Sequence, residues 1–226
     1  MKITYYGHAC FLVELKGKKI LFDPFISGNE LAKEIDVNSI EADFILQSHG
    51  HADHILDTVS IAKRTAAKVV TNWEIHEWLN KQGVSNTHPM NIGGKWNFDG
   101  ITIKCVTAIH SSGLPDGTYG GNPMGFLVMT DEANIYYAGD TALTYDMKLI
   151  PSWCNVDVAF LPIGDNFTMD AQDALTASNF IECNKIVAMH FDTFGFIKID
   201  HKAVIKLFEG NNNTIKLPRI GESFTI

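Results

Sequence analysis

The chain is written twice, and that repetition limits the fold more than any other feature. Aligned by eye, His8 pairs with His110, Phe11-Leu12-Val13 with Phe126-Leu127-Val128, and Asp23 with Asp140. The match continues as Ala42-Asp43-Phe44-Ile45-Leu46 against Val156-Asp157-Val158-Ala159-Phe160, then Lys68-Val69-Val70 against Lys185-Ile186-Val187. Each match is short, so coincidence stands as the alternative to an internal duplication. Strand patterns open both halves. Ile3–Tyr6, Cys10–Leu15 and Lys19–Asp23 lie in the first, with Lys16-Gly17-Lys18 as a hairpin turn; Ile101–Ala108, Gly125–Thr130 and Asn134–Ala138 lie in the second. Helical periodicity covers Ile55–Ala66, Asn72–Lys81, Asp170–Cys183 (Asp170 as N-cap) and Asp200–Glu209, with Gly210 as a stop. Two strand-rich halves with outer helices predict two packed sheets covered by helices, an α/β fold of the four-layer αββα sandwich type. No Pro-rich or Gly/Ser linker divides the chain, so residues 1–226 are expected to form one domain.

Directly after the apolar run Phe44-Ile45-Leu46 comes Ser48-His49-Gly50-His51-Ala52-Asp53-His54. A buried strand therefore ends in three imidazoles and a carboxylate. These groups suit a borderline divalent ion such as zinc. Packed together without a metal they would be hard to solvate and would perturb each other's pKa values. A polar loop that happens to be His-rich is the bland alternative, and H-x-H-x-D-H is far more specific than a lone His-x-His. His110, Asp140 and His190 each follow a predicted strand, at the carboxyl ends where sites of open α/β sheets lie.

This pattern, His49-x-His51-x-Asp53-His54 followed by His110, Asp140 and His190, resembles the metallo-β-lactamase superfamily along essentially the whole chain. Tyr6-Gly7-His8-Ala9-Cys10-Phe11, Leu21-Phe22-Asp23-Pro24 and Leu161-Pro162-Ile163-Gly164 resemble its short metal-dependent hydrolase branch, related to ascorbate-phosphate lactonase. The chain departs from that branch at Asp165 and Asp170, where glycine is expected, and a carboxylate at Asp165 is a candidate for altering substrate choice. The resemblance implies that His49, His51 and His110 bind one metal. Asp53, His54 and His190 bind a second, and Asp140 bridges them. Two divalent ions, zinc by ligand type or manganese by branch, lower the pKa of water from 15.7 to roughly 7 and so supply hydroxide without a serine or cysteine nucleophile. Asp53 then orients the hydroxide or carries its proton to the leaving group.

Weaker candidates surround this set. His8 is a substrate contact or proton donor, or else a supporting core histidine. Asp23 either accepts a hydrogen bond from a ligand histidine or caps the Asp-Pro turn. The glycine-rich loop Ser111–Pro123 is a lid or a plain connection. Asp192 and Thr193 either contact substrate or satisfy backbone groups, the latter favoured, and His76, His88 and His201 are expected to be surface or structural. Trp73, Trp78 and Trp96 are expected in the core.

The leading functional expectation is hydrolysis of a small ester-like substrate, a lactone or other acyl compound. A small cyclic or lipid-like phosphodiester is the alternative. Nucleic acid is disfavoured: net charge is −8, the 18 basic residues are scattered, and phosphate neutralisation carries such binding. Di-iron redox relatives place glutamate where His51 stands. A non-catalytic regulatory protein should have lost ligands, and none is missing here. Four dispersed cysteines, an N-terminus without a signal-peptide core and no apolar run of ~20 residues predict a soluble, cytoplasmic protein with a small-molecule substrate and no membrane partner; oligomeric state is not legible.

Overall fold

In strand β1 (Lys2–Gly7), Ile3 and Tyr5 are buried while Thr4 and Tyr6 are only partly so, the period-two pattern of a strand with one dry face. In β2 (Cys10–Leu15) nearly every side chain is buried, because both faces are covered. These strands and β3 (Lys18–Phe22) form an antiparallel meander. The chain then crosses over to three parallel strands, β4 (Phe44–Leu46), β5 (Lys68–Thr71) and β6 (Thr87–Pro89). The computed structural model describes residues 1–226.

The second half repeats this plan. β7 (Lys95–Phe98), β8 (Ile101–Thr107), β9 (Met124–Met129) and β10 (Asn134–Tyr137) form an antiparallel run, followed by parallel β11 (Val158–Pro162), β12 (Lys185–Met189) and β13 (Thr214–Lys216). The last strand, β14 (Ser223–Thr225), returns to pair with β1. Strand order is β14-β1-β2-β3-β4-β5-β6 in one sheet and β13-β12-β11-β10-β9-β8-β7 in the other. The pairings read from the sequence thus fall on equivalent strands, β1 with β8, β2 with β9, β3 with β10, β4 with β11 and β5 with β12. One asymmetry stands out: the edge strand before each meander is β7 in the second sheet, but the distant C-terminal β14 in the first.

The sheets face one another across aromatic residues. Phe11 meets Phe160 edge-on with ring centroids 4.8 Å apart, and Phe22 stacks on Tyr137 at 4.6 Å. All four rings are fully buried, and each such burial contributes about 1.5–3 kcal/mol. On the outer face of the first sheet, Cys10, Leu12, Leu21, Ile45 and Val69 join one apolar cluster with Ile61, Ala62, Ile75 and Leu79. Those last four come from helices α2 (Thr58–Thr65) and α3 (Trp73–Lys81), which follow the short α1 (Ala52–Ile55). Helices α4 (Ala171–Phe180) and α5 (His201–Glu209) cover the second sheet through Ala174, Leu175, Val204 and Phe208. The result is the expected αββα sandwich. Asn72, Asp170 and Asp200 cap α3, α4 and α5 with side-chain acceptors, worth about 1 kcal/mol each. None of these helices is long and apolar enough to cross a membrane.

Two local expectations are corrected. The helix read as Ile55–Ala66 is two pieces, α1 and α2, because Asp57 at the break serves the loop after β3. Its carboxylate accepts from the amides of Ile26 (2.6 Å) and Ser27 (2.9 Å). The three tryptophans do not share a core. Trp73 and Trp96 are more than half exposed, since the buried stripe of α3 runs through Ile75 and Leu79 and Trp96 lies on an edge strand. Trp78 packs half-buried against the outer core of the first sheet, as expected, and donates its indole N–H to Asp116 (2.8 Å). Gly210 follows the last residue of α5 as the expected stop, in a right-handed conformation.

Candidate metal centre

Each residue of the site leaves the carboxyl end of a strand. His8 follows β1, Asp23 follows β3, His49 and His51 follow β4, and Asp53 and His54 ride on α1. His110, Asp140 and His190 follow β8, β10 and β12. Three of these positions turn into the left-handed region, His8 at φ 56°, Asp23 at 39° and His190 at 55°. Non-glycine residues there carry strain of roughly 1–3 kcal/mol, which recurs at functional sites. The turns direct the side chains off the strand axes into a common space.

Asp140 lies at its middle. Its Oδ2 is 3.0 Å from His190 Nε2, 3.3 Å from His54 Nε2, 3.4 Å from His110 Nε2 and 3.9 Å from His49 Nε2. On one side, ligand-type atoms of His49, His51 and His110 all lie within 4.8 Å of one another. On the other, the same holds for His8, Asp53, His54 and His190. The structure therefore brings together all eight residues singled out in the sequence, and it adds His8 to the second group.

Hydrogen bonds beneath the site decide which nitrogens are free. Ser48 Oγ donates to Asp23 Oδ2 at 2.5 Å, so its oxygen accepts from His49 Nδ1 at 2.9 Å. His54 Nδ1 donates to the same Asp23 oxygen at 2.9 Å. Both histidines thus have Nδ1 taken and Nε2 directed at Asp140, the orientation that metal-binding imidazoles adopt when a carboxylate or hydroxyl takes the other nitrogen. Asp23 is fully buried and also accepts from the Ser48 amide (2.7 Å) and the Tyr137 hydroxyl (2.8 Å). Of its two readings from the sequence, the histidine acceptor is the one present. His49 Nε2 and His51 Nδ1 face each other across 3.1 Å.

A metal pair fits this arrangement. Four buried polar atoms here, His8 Nε2, His54 Nε2, His190 Nδ1 and Asp140 Oδ1, have no hydrogen-bond partner. Each such atom costs about 1–3 kcal/mol, and the donor set of imidazoles and carboxylates is that of borderline divalent ions. Burial would raise the pKa of Asp140, but the imidazoles of His190 and His54 outweigh it and hold the carboxyl well below the usual range. Burial pushes His49 well below the ordinary imidazole value, favouring the neutral form that ligates. His8 is pushed down to about 3 by burial and by the neighbouring His190.

The centre opens into a cavity of about 820 Å³. One wall is polar, with His51, Asp53, His110, Ser111, Asp140, His190 and Thr193; the other is Phe167, Phe194, Gly195 and Phe196. No lysine or arginine lines it. The phenylalanines were not singled out in the sequence, where an isolated Phe reads as core. Thr193 satisfies a backbone group, its hydroxyl donating to the Phe191 carbonyl (3.3 Å), and it also sits 2.9 Å from His8 Nδ1 and lines the cavity. Asp192 does satisfy a backbone amide, that of Ile199 (3.1 Å), and also meets His201 at 2.6 Å. Asp165 lies outside the cavity, in a left-handed turn (φ 61°) that explains the glycine expected there. Asp170 is the cap of α4. Within the loop Ser111–Pro123, Ser111 alone reaches the cavity. Asn72 tethers the loop by donating to the carbonyl of Gly120 (2.7 Å), as does Trp78 through Asp116.

An αββα sandwich with this cluster at its strand ends defines the metallo-β-lactamase class of proteins. The chain belongs to that superfamily, since the family described as the beta-lactamase superfamily domain matches residues 2–190. It is similar over its full length to the UPF0173 metal-dependent hydrolase of Flavobacterium johnsoniae, at 56% identity covering 100% of both chains. A UPF0173 metal-dependent hydrolase of Methylacidiphilum infernorum is 47% identical over 100% of both. Among solved structures, the metallo hydrolase Igni18 of Ignicoccus hospitalis aligns with a TM-score of 0.89 at 34% identity, covering 100% of this chain and 98% of that one. The isothiocyanate hydrolase of Delia radicum gut bacteria shares the fold, with a TM-score of 0.80 at 23% identity and coverage of 100% and 99%.

Proposed function

We propose that this protein is a metal-dependent hydrolase of a small ester-like substrate, a lactone or another acyl compound. The observation that carries the reading is Asp140 Oδ2 within 3.0–3.9 Å of four imidazole nitrogens drawn from both halves of the chain. His49, His51 and His110 would hold one divalent cation, Asp53, His54 and His190 would hold a second, and Asp140 would serve both. The five imidazoles favour zinc, with manganese the alternative. When bound, such a pair supplies a water acidic enough to attack at neutral pH and polarises the scissile carbonyl oxygen.

The chain's own groups do the rest. Asp53 reaches the cavity and has a buried inner face, so its carboxylate is placed to take the proton of the attacking water and return it to the leaving oxygen. His8 is 1% exposed and does not line the cavity, which gives it a role in holding Asp53 rather than in touching substrate. Ser111 lines the cavity with a hydroxyl that can donate to a substrate oxygen atom, whereas the Thr193 hydroxyl is engaged by His8. A lining without lysine or arginine favours an acyl substrate over a phosphodiester, whose charge would fall on the cations alone. Because ligands come from both halves, residues 1–226 act as one domain. Four free cysteines fit a reducing cytoplasm.

The test is turnover of zinc- and manganese-loaded protein on lactone and thioester panels beside a phosphodiester panel, with Asp140→Ala as blank. Acyl turnover above the blank supports the reading. Preferential phosphodiester turnover replaces it with the phosphodiesterase, and no turnover on any panel overturns it.

A further inference from the structure

The apolar part of the cavity lining is built from two separate loops that converge on one chemistry. Phe167 comes from the loop after β11, and Phe194 and Phe196 come from the loop after His190. Their exposures are 50%, 38% and 78%. Phe167 and Phe196 meet edge to face, with centroids 6.3 Å apart at 79°. Phe194 packs edge-on against His8 at 5.4 Å, which ties this wall to the centre. Leaving such side chains in water forfeits the burial that aromatic rings ordinarily gain, and a cluster of them on one face of a cavity marks a place where an apolar group binds.

The loop bearing Phe194 and Phe196 is anchored at its base. Ile197 is fully buried, and its carbonyl accepts from the Asp192 amide at 2.8 Å. At the tip, a Cβ on Gly195 would meet nothing within 4 Å, so the backbone there is open to the cavity side rather than packed. The nearest cationic side chain in sequence, Lys198, lines a different groove, with Asp165 and Asp170. Charge in the substrate tail therefore finds no partner here, whereas apolar surface does.

We propose that Phe167, Phe194 and Phe196 form a subsite for an uncharged aromatic or aliphatic group joined to the scissile carbonyl. This deepens the hydrolase reading above and rests on it. The substrate class becomes an acyl compound with an apolar tail, and multiply charged acyl compounds such as sugar-phosphate lactones are excluded. If each methylene is fully buried, affinity rises about fourfold per carbon until the subsite is full.

Calorimetric binding of a hydroxamate series to the zinc-loaded protein tests this without requiring turnover. The hydroxamate grips the metal and the tail reads the wall. Affinity is expected to climb from acetohydroxamate through hexanohydroxamate and phenylacetohydroxamate, while succinate-derived tails ending in carboxylate gain nothing. The variant Phe167→Ser/Phe196→Ser, changing two exposed rings, is expected to lose the dependence on tail length with its melting temperature kept. A flat series in the unmodified protein overturns the subsite, as does a slope that survives in the variant. So does a variant whose sole change is in oligomeric state, which would make the rings a contact between copies. Failure of every hydroxamate to bind, acetohydroxamate included, overturns the metal-hydrolase reading itself and the subsite with it.

Discussion

His8 Nε2, fully buried, lies 3.2 Å from Asp53 Oδ2 at the edge of the cavity. These residues come from different strand ends, and the other nitrogen of His8 is taken by Thr193 at 2.9 Å. The imidazole is held neutral by burial. It therefore steers Asp53 by position and dipole, with no net charge.

Replacing His8 tests that role. Asparagine is the variant of choice, because it tolerates the left-handed backbone at φ 56° that alanine would strain. For His8→Asn, turnover is expected to fall about 10–100-fold, the usual cost of losing a group that orients a ligand. Melting temperature should stay close to that of the unmodified protein. Undiminished kcat would remove His8 from the machinery.

Asp140 is shared by both groups of imidazoles, so its loss should be felt at both. Asp140→Ala, and Asp140→Asn as the variant that keeps shape, are expected to bind less than one metal per chain by elemental analysis. Turnover should fall by more than about 100-fold, beyond the cost of an outer partner. Retention of a full metal pair in both variants would sink the shared-ligand arrangement.

A glycine far from the reacting atoms should matter as well. A Cβ on Gly164 would sit 2.2 Å from the His190 carbonyl oxygen and 2.9 Å from Ile197 Cβ. Gly164→Ala is therefore expected to displace His190, destabilise the fold by about 1–3 kcal/mol and weaken metal binding. Gly113→Ala meets nothing within 4 Å and should be near silent, within about 0.5 kcal/mol. Denaturant melts paired with metal titration would separate the two.

Removing the cations should unload much of the fold's stability. At free metal about 1,000 times its Kd, one site contributes about 4.1 kcal/mol. For a chain of this size that is about 8–16 °C in melting temperature. Calorimetry before and after chelation should show that drop, reversed by zinc. An unchanged melt would mean that the buried cluster is satisfied without metal.

His76 provides the contrast. It is half-buried and its Nδ1 meets Thr87 Oγ1 at 2.6 Å, outside the cavity lining. His76→Ala is expected to cost about 1 kcal/mol of stability and to leave kcat/KM within about twofold. A loss comparable to Asp140→Ala with the fold intact would mean that the ligands are misassigned.

Much of this architecture was legible because its signals are local. Metal chemistry demands particular side chains, so His49, His51, Asp53 and His54 announce themselves within one loop, and strand periodicity puts His110, Asp140 and His190 at comparable ends. Capping is equally local, which is why Asp170 and Asp200 stand where expected. The misread features share a different cause. Asp57 breaks a helix because residues some thirty positions earlier, Ile26 and Ser27, need its carboxylate. Trp73 and Trp96 are apolar residues that the packing leaves outside.

The phenylalanine wall belongs with those cases. Phe11, Phe160, Phe167 and Phe196 are the same residue type in similar company, yet the first two fill the space between the sheets and the last two face a cavity. The clustered imidazoles and carboxylates and the strand pattern are written in short-range chemistry and periodicity, so the chain alone dictated the sandwich and the cluster at its rim. Which apolar side chains are left over after the core is filled depends on how distant segments meet. That remainder sets the shape and polarity of the cavity, and long-range packing therefore decided what the centre can receive.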